Sequence, residues 1–289
     1  MSSYPTDTVR VACVQMAPPA RGTKKDRVEH AISLIDQLPP VNLIVLPELW
    51  PVGFFRFDRY KEESESLEES LKSGIVAAIR EVAVRRKAFV LGGSFVERAG
   101  RGRFHNTSFL LGPDGELLMT YRKMHVFGYR SKEADLLTAG DSVAVADTPV
   151  GMISATTCYD LRFPELYRAL VDAGTQVVLV PSAWPMERLD HWAVLNQTRA
   201  LENQMYVVAC NMAGEEEGTT LAGNSMIVDP WGEVIARAGE GEQVLLAELD
   251  MNRLLHLREE FPVLNDRRLG TQGGRLSEPT LSTFAEGGS

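Results

Sequence analysis

Cysteine is scarce in this chain: three residues among 289, an odd number. So small a set supplies no disulfide framework. No Cys-x-x-Cys pair and no Cys/His cluster occurs, so the ligand spacing of a zinc site is missing as well. Basic charge is also short. Thirty Lys and Arg stand against 39 Asp and Glu, giving a formal net charge of −9. That balance argues against broad nucleic-acid binding, which wants a basic face, and against attraction to anionic membranes. No apolar run is long enough to span a bilayer. The first eight residues are polar and lack the apolar stretch of a secretory signal. A cytoplasmic location is therefore the expectation, and a reducing compartment suits a free thiol.

What remains is an ordinary globular composition, 44% hydrophobic and 24% charged. A chain of this length buries a large core without disulfides or metal. Short apolar runs alternate with helical patterns. Strands are expected over residues 9–15, 43–46, 89–95, 107–111 and 117–121, with helices over 25–37 and 65–86. In the second half, strands are expected over 151–156, 177–181, 205–211, 225–228, 234–238 and 245–249, with helices over 165–173 and 190–203. Nearly continuous apolar strands such as Val177-Val178-Leu179-Val180 suit sheets buried on both faces. The pattern predicts an α/β fold with mixed sheets. No linker divides the chain, so one domain is expected, with a core over about 9–268. The two halves repeat the same order of elements, which hints at internal pseudo-symmetry. The Gly-, Ser- and Pro-rich tail, 270–289, is expected to be extended or disordered.

The three cysteines differ in setting. Cys13 and Cys210 sit inside apolar runs, where cysteine is a small buried hydrophobe. Cys158 instead follows the polar end of a strand. Three segments carry polar residues at such ends: Leu46-Pro47-Glu48-Leu49-Trp50, Tyr121-Arg122-Lys123-Met124-His125, and Cys158-Tyr159-Asp160-Leu161-Arg162-Phe163-Pro164-Glu165. Sites in α/β folds gather at the carboxyl ends of strands.

These segments resemble the signature blocks of the nitrilase-like carbon–nitrogen hydrolase superfamily, in the order Glu, Lys, Cys. The likeness extends to Asn106-Thr107-Ser108, Gly140-Asp141, the 191–203 stretch, Gly223-Asn224-Ser225 and Asp229-Pro230-Trp231-Gly232. The resemblance implies a four-layer α-β-β-α sandwich. It also implies a triad in which Cys158 is the nucleophile, Glu48 the base, and Lys123 the cation at the thiol and the developing oxyanion. The backbone N–H of Tyr159 assists at the oxyanion, and a thioester forms and is hydrolysed. A second glutamate is implied at Glu133, positioning Lys123 and the substrate amine; the alternative is a solvated loop carboxylate. No metal, nucleotide or organic cofactor is implied. Pairing into a homodimer or larger even oligomer is implied, with the tail crossing to the partner.

The cysteine block looks closest to the ω-amidase and deaminated-glutathione amidase branch. The substrate expected is a small linear amide, an ω-amide of a keto or dicarboxylic acid. Arg162 is the candidate anchor for its carboxylate, through two hydrogen bonds; the alternative is a structural salt bridge to Glu165 or Asp160. Trp184 and Tyr129 are candidates for the pocket wall. N-carbamoyl amino acid hydrolysis, nitrile hydrolysis and non-catalytic binding on the same fold are the competing readings. Tyr159 beside the nucleophile, where nitrilases carry Trp, disfavours the nitrile.

Overall fold

The structure is a computed structural model that describes residues 7–19 and 22–268. The first half runs β1 (Thr8–Gln15), α1 (Lys24–Asp36), β2 (Leu43–Val45), α2 (Tyr60–Glu63), α3 (Leu67–Ser73), α4 (Ile75–Arg86), β3 (Phe89–Ala99), β4 (Arg103–Leu111) and β5 (Leu117–Arg122). Next come α5 (Glu133–Leu136), β6 (Val145–Thr148), β7 (Gly151–Ala155), α6 (Pro164–Asp172), β8 (Val177–Ser182), α7 (Leu189–Asn203) and β9 (Tyr206–Asn211). A hairpin of β10 (Ala213–Glu216) and β11 (Thr219–Ala222) precedes β12 (Met226–Val228), β13 (Val234–Arg237), β14 (Gln243–Asp250) and α8 (Met251–Glu260).

The strands form two six-stranded sheets, ordered β14-β1-β2-β3-β4-β5 and β13-β12-β9-β8-β7-β6. In the first, β1–β2 and β2–β3 are parallel and the outer pairings antiparallel. The second repeats this, with β7–β8 and β8–β9 parallel. The two sheets share one pattern of pairing, which is the pseudo-symmetry hinted at by the order of elements, although β14 from the second half completes the first sheet.

Period-two alternation divides each strand between two cores. Val11 and Cys13 face the inter-sheet core, where they join Val45, Leu91, Ala155, Leu179, Val208 and Cys210. Their neighbours Ala12 and Val14 turn outward onto Ala31, Ile35, Val76, Ile79 and Ala83 of α1 and α4. On the other sheet Val178, Val180, Val207 and Ala209 pack under Leu166, Leu170, Trp192 and Ala200 of α6 and α7. Strands covered on both faces need no polar alternation, which explains the continuous apolar runs. The result is the α-β-β-α sandwich.

One departure from the expected elements has a clear local cause. The helix expected over 65–86 is broken at Gly74, whose ψ of −151° is extended. Ser66 and Glu69 form a capping box that starts α3. Glu65 then reaches over the break to accept from Ile75 N, and a side chain on Gly74 would meet that carboxylate at 2.1 Å. The hairpin of β10 and β11 and the C-terminal helix α8 were not anticipated. Met251 and Leu254 of α8 close one end of the inter-sheet core. The expectation for the 270–289 tail lies outside the described residues.

Candidate active site

Glu48, Lys123 and Cys158 all sit just past strand ends. Glu48 follows β2 after Leu46-Pro47, Lys123 directly follows β5, and Cys158 follows β7 after two threonines. Two of these turns are strained. Cys158 adopts φ 47° and Leu49, next to Glu48, φ 44°, in the left-handed region that side chains avoid. The second turn is held by β3. Leu49 N donates to Ser94 Oγ at 2.9 Å, and Ser94 N donates to Pro47 O at 3.3 Å. Gly93 lets the chains approach this closely, since a Cβ there would lie 2.0 Å from Pro47 O.

The turn bearing Cys158 is held by one carboxylate. Asp160, fully buried, accepts from Thr157 N at 2.9 Å and from the Tyr121 hydroxyl at 2.7 Å. Its other oxygen accepts from His125 N at 2.9 Å and stands 2.7 Å from His125 Nδ1. Tyr121 and His125 flank Lys123. Asp160 therefore ties the cysteine turn of one sheet to the lysine-bearing strand end of the other.

Glu48, Lys123 and Glu133 are all at 0% exposure. Lys123 Nζ lies 2.8 Å from Glu48 Oε1 and 2.9 and 3.0 Å from the Glu133 oxygens. Asn106 Nδ2 donates to both glutamates, at 2.8 and 3.3 Å. Ala183 N, beyond β8, donates to Glu48 Oε2 at 3.0 Å, and Phe127 N to Glu133 Oε2 at 2.7 Å. Cys158 is buried, 7% exposed, and its thiol lies in the field of Glu48, Lys123 and Glu133. The structure thus gathers all four residues, and Glu133 is no solvated loop carboxylate.

Electrostatics follow from the burial. Desolvation works against the Lys123 ammonium, but the Glu133 and Glu48 charges outweigh it and raise its pKa. Burial, with repulsion from Glu48, pushes Glu133 up against the pull of Lys123. Cys158 rises well above the ordinary thiol range, first by burial and then by Glu48, with Lys123 opposing. The cation pulls the thiol down as expected, yet two carboxylates and burial prevail. The resting group is the thiol, so a base beside it has a proton to take.

Cys158 lines a narrow, half-open cleft. Phe54, Phe55, Phe127, Tyr159 and Trp184 make its aromatic walls, and Arg162 and Arg188 its charged ones. Trp184 is 2% exposed and also packs on Trp192 at 5.6 Å, so it serves both wall and core. Arg162 lies over the Trp184 ring at 4.8 Å and makes no ion pair with Glu165 or Asp160. Tyr129 is not brought to the cleft; it is 61% exposed and carries Arg130 over its ring. The sequence reading missed Arg188, Ala183 and the role of Asn106. The Asn106-Thr107-Ser108 block was the signal for the last; the other two carried none. Among the described residues no cluster of His, Cys, Asp or Glu could hold a metal ion, and no helix is long and apolar enough to cross a membrane.

Comparisons with known proteins agree with this geometry. The carbon-nitrogen hydrolase family model matches residues 10–259. A 2-oxoglutaramate amidase from Paenarthrobacter nicotinovorans is 40% identical over 265 residues, covering 89% of each chain. The ω-amidase NIT2-A of Xenopus laevis is 36% identical over 257 residues, covering 85% of this chain and 90% of its own. Saccharomyces cerevisiae Nit3, a member of branch 10 of the nitrilase superfamily, superposes with a TM-score of 0.83 at 29% identity, over 93% of this chain and 99% of that one. With fold, matched span and relatives in agreement, the chain belongs to the carbon–nitrogen hydrolase family.

Proposed function

We propose that this amidase hydrolyses the ω-amide of a small carboxylic acid through a thioester on Cys158, releasing ammonia. The observation that carries the reading is the buried cluster of Glu48, Lys123 and Glu133 gathered with Cys158, which lines a cleft that Arg162 also lines. The names of the relatives, 2-oxoglutaramate amidase and ω-amidase, support the substrate class.

In this reading Glu48 takes the thiol proton as Sγ attacks the amide carbon. The carbonyl becomes an oxyanion, met by the field of Lys123 and by the Tyr159 backbone N–H. Lys123 directs its donors at Glu48 and Glu133, so its contribution is charge held close by. Proton return from Glu48 to the nitrogen lets ammonia leave and the C–N bond break. Water, deprotonated by Glu48, then attacks the thioester carbon, and the acid departs as the thiol re-forms. Glu133 fixes the ammonium through both its oxygens. Arg162, free of any carboxylate partner among the described residues, grips the substrate carboxylate.

The same reading includes a homodimer. Val194 and Leu201 on the outer face of α7 are 62% and 51% exposed, more than lone core-type residues warrant. Light scattering then gives twice the chain mass or a larger even multiple, and a monomer contradicts the pairing. A cytosolic setting fits the three free thiols.

The test is ammonia release from a panel of ω-amides, N-carbamoyl amino acids and nitriles, with Cys158→Ala in parallel. Release from ω-amides, lost by about 10³-fold or more in the variant, supports the proposal. Turnover confined to the other classes contradicts the substrate.

A further inference from the structure

The block Gly223-Asn224-Ser225 is not among the residues that line the cleft, yet its backbone is held in a costly shape. Gly223 and Asn224 both take left-handed φ, 56° and 51°. A Cβ on Gly223 would lie 2.5 Å from Glu240 O, so a side chain does not fit there. Asn224 Nδ2 donates to Ala222 O at 2.7 Å, a local bond that suits asparagine to this conformation. The double turn presents two groups to Asn211, the last residue of β9. Gly223 O accepts from Asn211 Nδ2 at 2.8 Å, and Ser225 Oγ accepts from Asn211 N at 2.9 Å. Ser225 is tied in turn to the other sheet, since its N–H donates to Gln15 Oε1 at 2.8 Å. Gln15, Asn211 and Ser225 are all at 0% exposure.

Asn211 pairs with Ser182, the last residue of β8. Beyond Ser182 the strand ladder stops, and the Asn211 side chain continues it. Trp184 N donates to Asn211 Oδ1 at 2.7 Å, and Asn211 Nδ2 donates to Trp184 O at 3.2 Å. With the bond to Gly223 O, the acceptor and both donor hydrogens of the amide have partners. Met212 N donates to Ser182 O at 3.0 Å, and Ala222 N to Trp184 O at 2.8 Å. The peptides on both sides of Ala183 are therefore held, and the Ala183 N–H between them points at Glu48 Oε2, 3.0 Å away. The other oxygen of Glu48 is taken by Lys123 and Asn106.

We propose that Asn211, held by Gly223-Asn224-Ser225, is a positioning residue that orients the base Glu48 through the Ala183 amide. This rests on the reading of Glu48 as the base and names what aims it. A carboxylate held by one oxygen alone can swing the other about its side-chain torsions. A donor on the second oxygen stops that swing. A backbone donor does so without rotamers of its own, but its aim depends wholly on the neighbouring peptides. Those peptides are the ones that Asn211 grips. The same N–H also favours the ionised carboxylate. Losing it both loosens the base and moves the acid limb of the rate profile to higher pH.

Asn211→Ala and the milder Ser225→Ala are compared with the wild type on the amide that the wild type hydrolyses fastest. In Asn211→Ala kcat should fall by about tenfold or more, a larger factor than the rise in KM, and the acid limb of kcat/KM should move to higher pH. In protein labelled with 15N-alanine, the Ala183 amide should gain more in hydrogen-exchange rate than that of Ala12 in β1, which reports general loosening. Ser225→Ala should show the same pattern at smaller amplitude, and it carries the test if Asn211→Ala does not fold. A rise in KM with kcat and the acid limb unchanged makes Asn211 a support of the Trp184 wall alone and overturns the proposal. Ala183 exchange no faster than in the wild type overturns it as well. Glu48→Gln separates the two failures. Turnover by that variant at the wild-type rate sinks the base and the inference with it. A slow Glu48→Gln beside Asn211→Ala and Ser225→Ala that both keep kcat sinks the inference alone.

Discussion

Lys123 Nζ stands 2.8 Å from Glu48 Oε1, with both side chains wholly out of solvent. Glu133 lies on the other side of the ammonium at 2.9 Å, so one cation balances two carboxylates inside the protein. A buried charge whose partner is removed is costly in a way that a surface pair is not. Lys123→Met should therefore destabilise the fold by about 3–5 kcal/mol. Adding Glu133→Gln should recover part of the loss, with a coupling of about 1 kcal/mol or more in the double-mutant cycle. Urea unfolding measures it, and strict additivity would contradict the balance described.

Glu48 and Cys158 are coupled in the opposite sense. The carboxylate raises the thiol pKa, so Glu48→Gln should lower it while removing the base. Iodoacetamide labelling of Cys158 should then begin at lower pH in the variant even as amide hydrolysis falls by about 10²–10⁴-fold. Labelling that begins at the same pH in both proteins contradicts the coupling.

The same shift has a consequence for stability. Folded Cys158 keeps a proton that an unfolded thiol loses near pH ~8.5. Its contribution is whole below that pH and declines as pH rises above it. Denaturant midpoints measured at rising alkaline pH should fall more gently in Cys158→Ala than in the wild type.

Asp160 holds the strained turn at Cys158 through four contacts. Asn in its place supplies only one acceptor oxygen, so two of the donors lose their partner. Asp160→Asn should lower kcat more than it raises KM, since Cys158, the proposed nucleophile, rather than the cleft is displaced. Tyr121→Phe, which removes one donor, should cost about 0.5–1.5 kcal/mol and retain most activity. Equal losses in kcat for the two variants would contradict the positioning role.

The aromatic wall has its own support. Arg27 and Glu216, each 4% exposed, pair at 3.1 Å, and Glu216 also accepts from Phe55 N at 3.0 Å. Glu216→Gln should destabilise the protein and raise KM with a smaller effect on kcat, because Phe54 and Phe55 line the cleft. Steady-state kinetics separate the two, and an unchanged KM would contradict the strut.

Glu48, Lys123 and Cys158 were singled out by the resemblance of three blocks in order, and the fold brings those blocks together around one buried lysine. Asp160 stood in the same block as Cys158, yet its partners Tyr121 and His125 come from the end of a strand of the other sheet, which no local pattern discloses. Arg188 was invisible for the same reason: it joins Arg162 at the cleft from 26 positions away in sequence, brought near by α6 and β8. The break at Gly74 was in principle readable from Ser66-x-x-Glu69 and the Ser73-Gly74 pair, but the apolar periodicity continues across it. Tyr129 was drawn in by its place in the loop before Glu133, and that loop turns its ring to solvent.

The most direct measurement is intact-protein mass spectrometry of the enzyme quenched in acid during turnover of an ω-amide. Attack by Cys158 predicts an added mass equal to the acyl group, confined to the peptide carrying Cys158 and absent from Cys158→Ala. Turnover at full rate with no acyl adduct, or an adduct on another residue, contradicts the account.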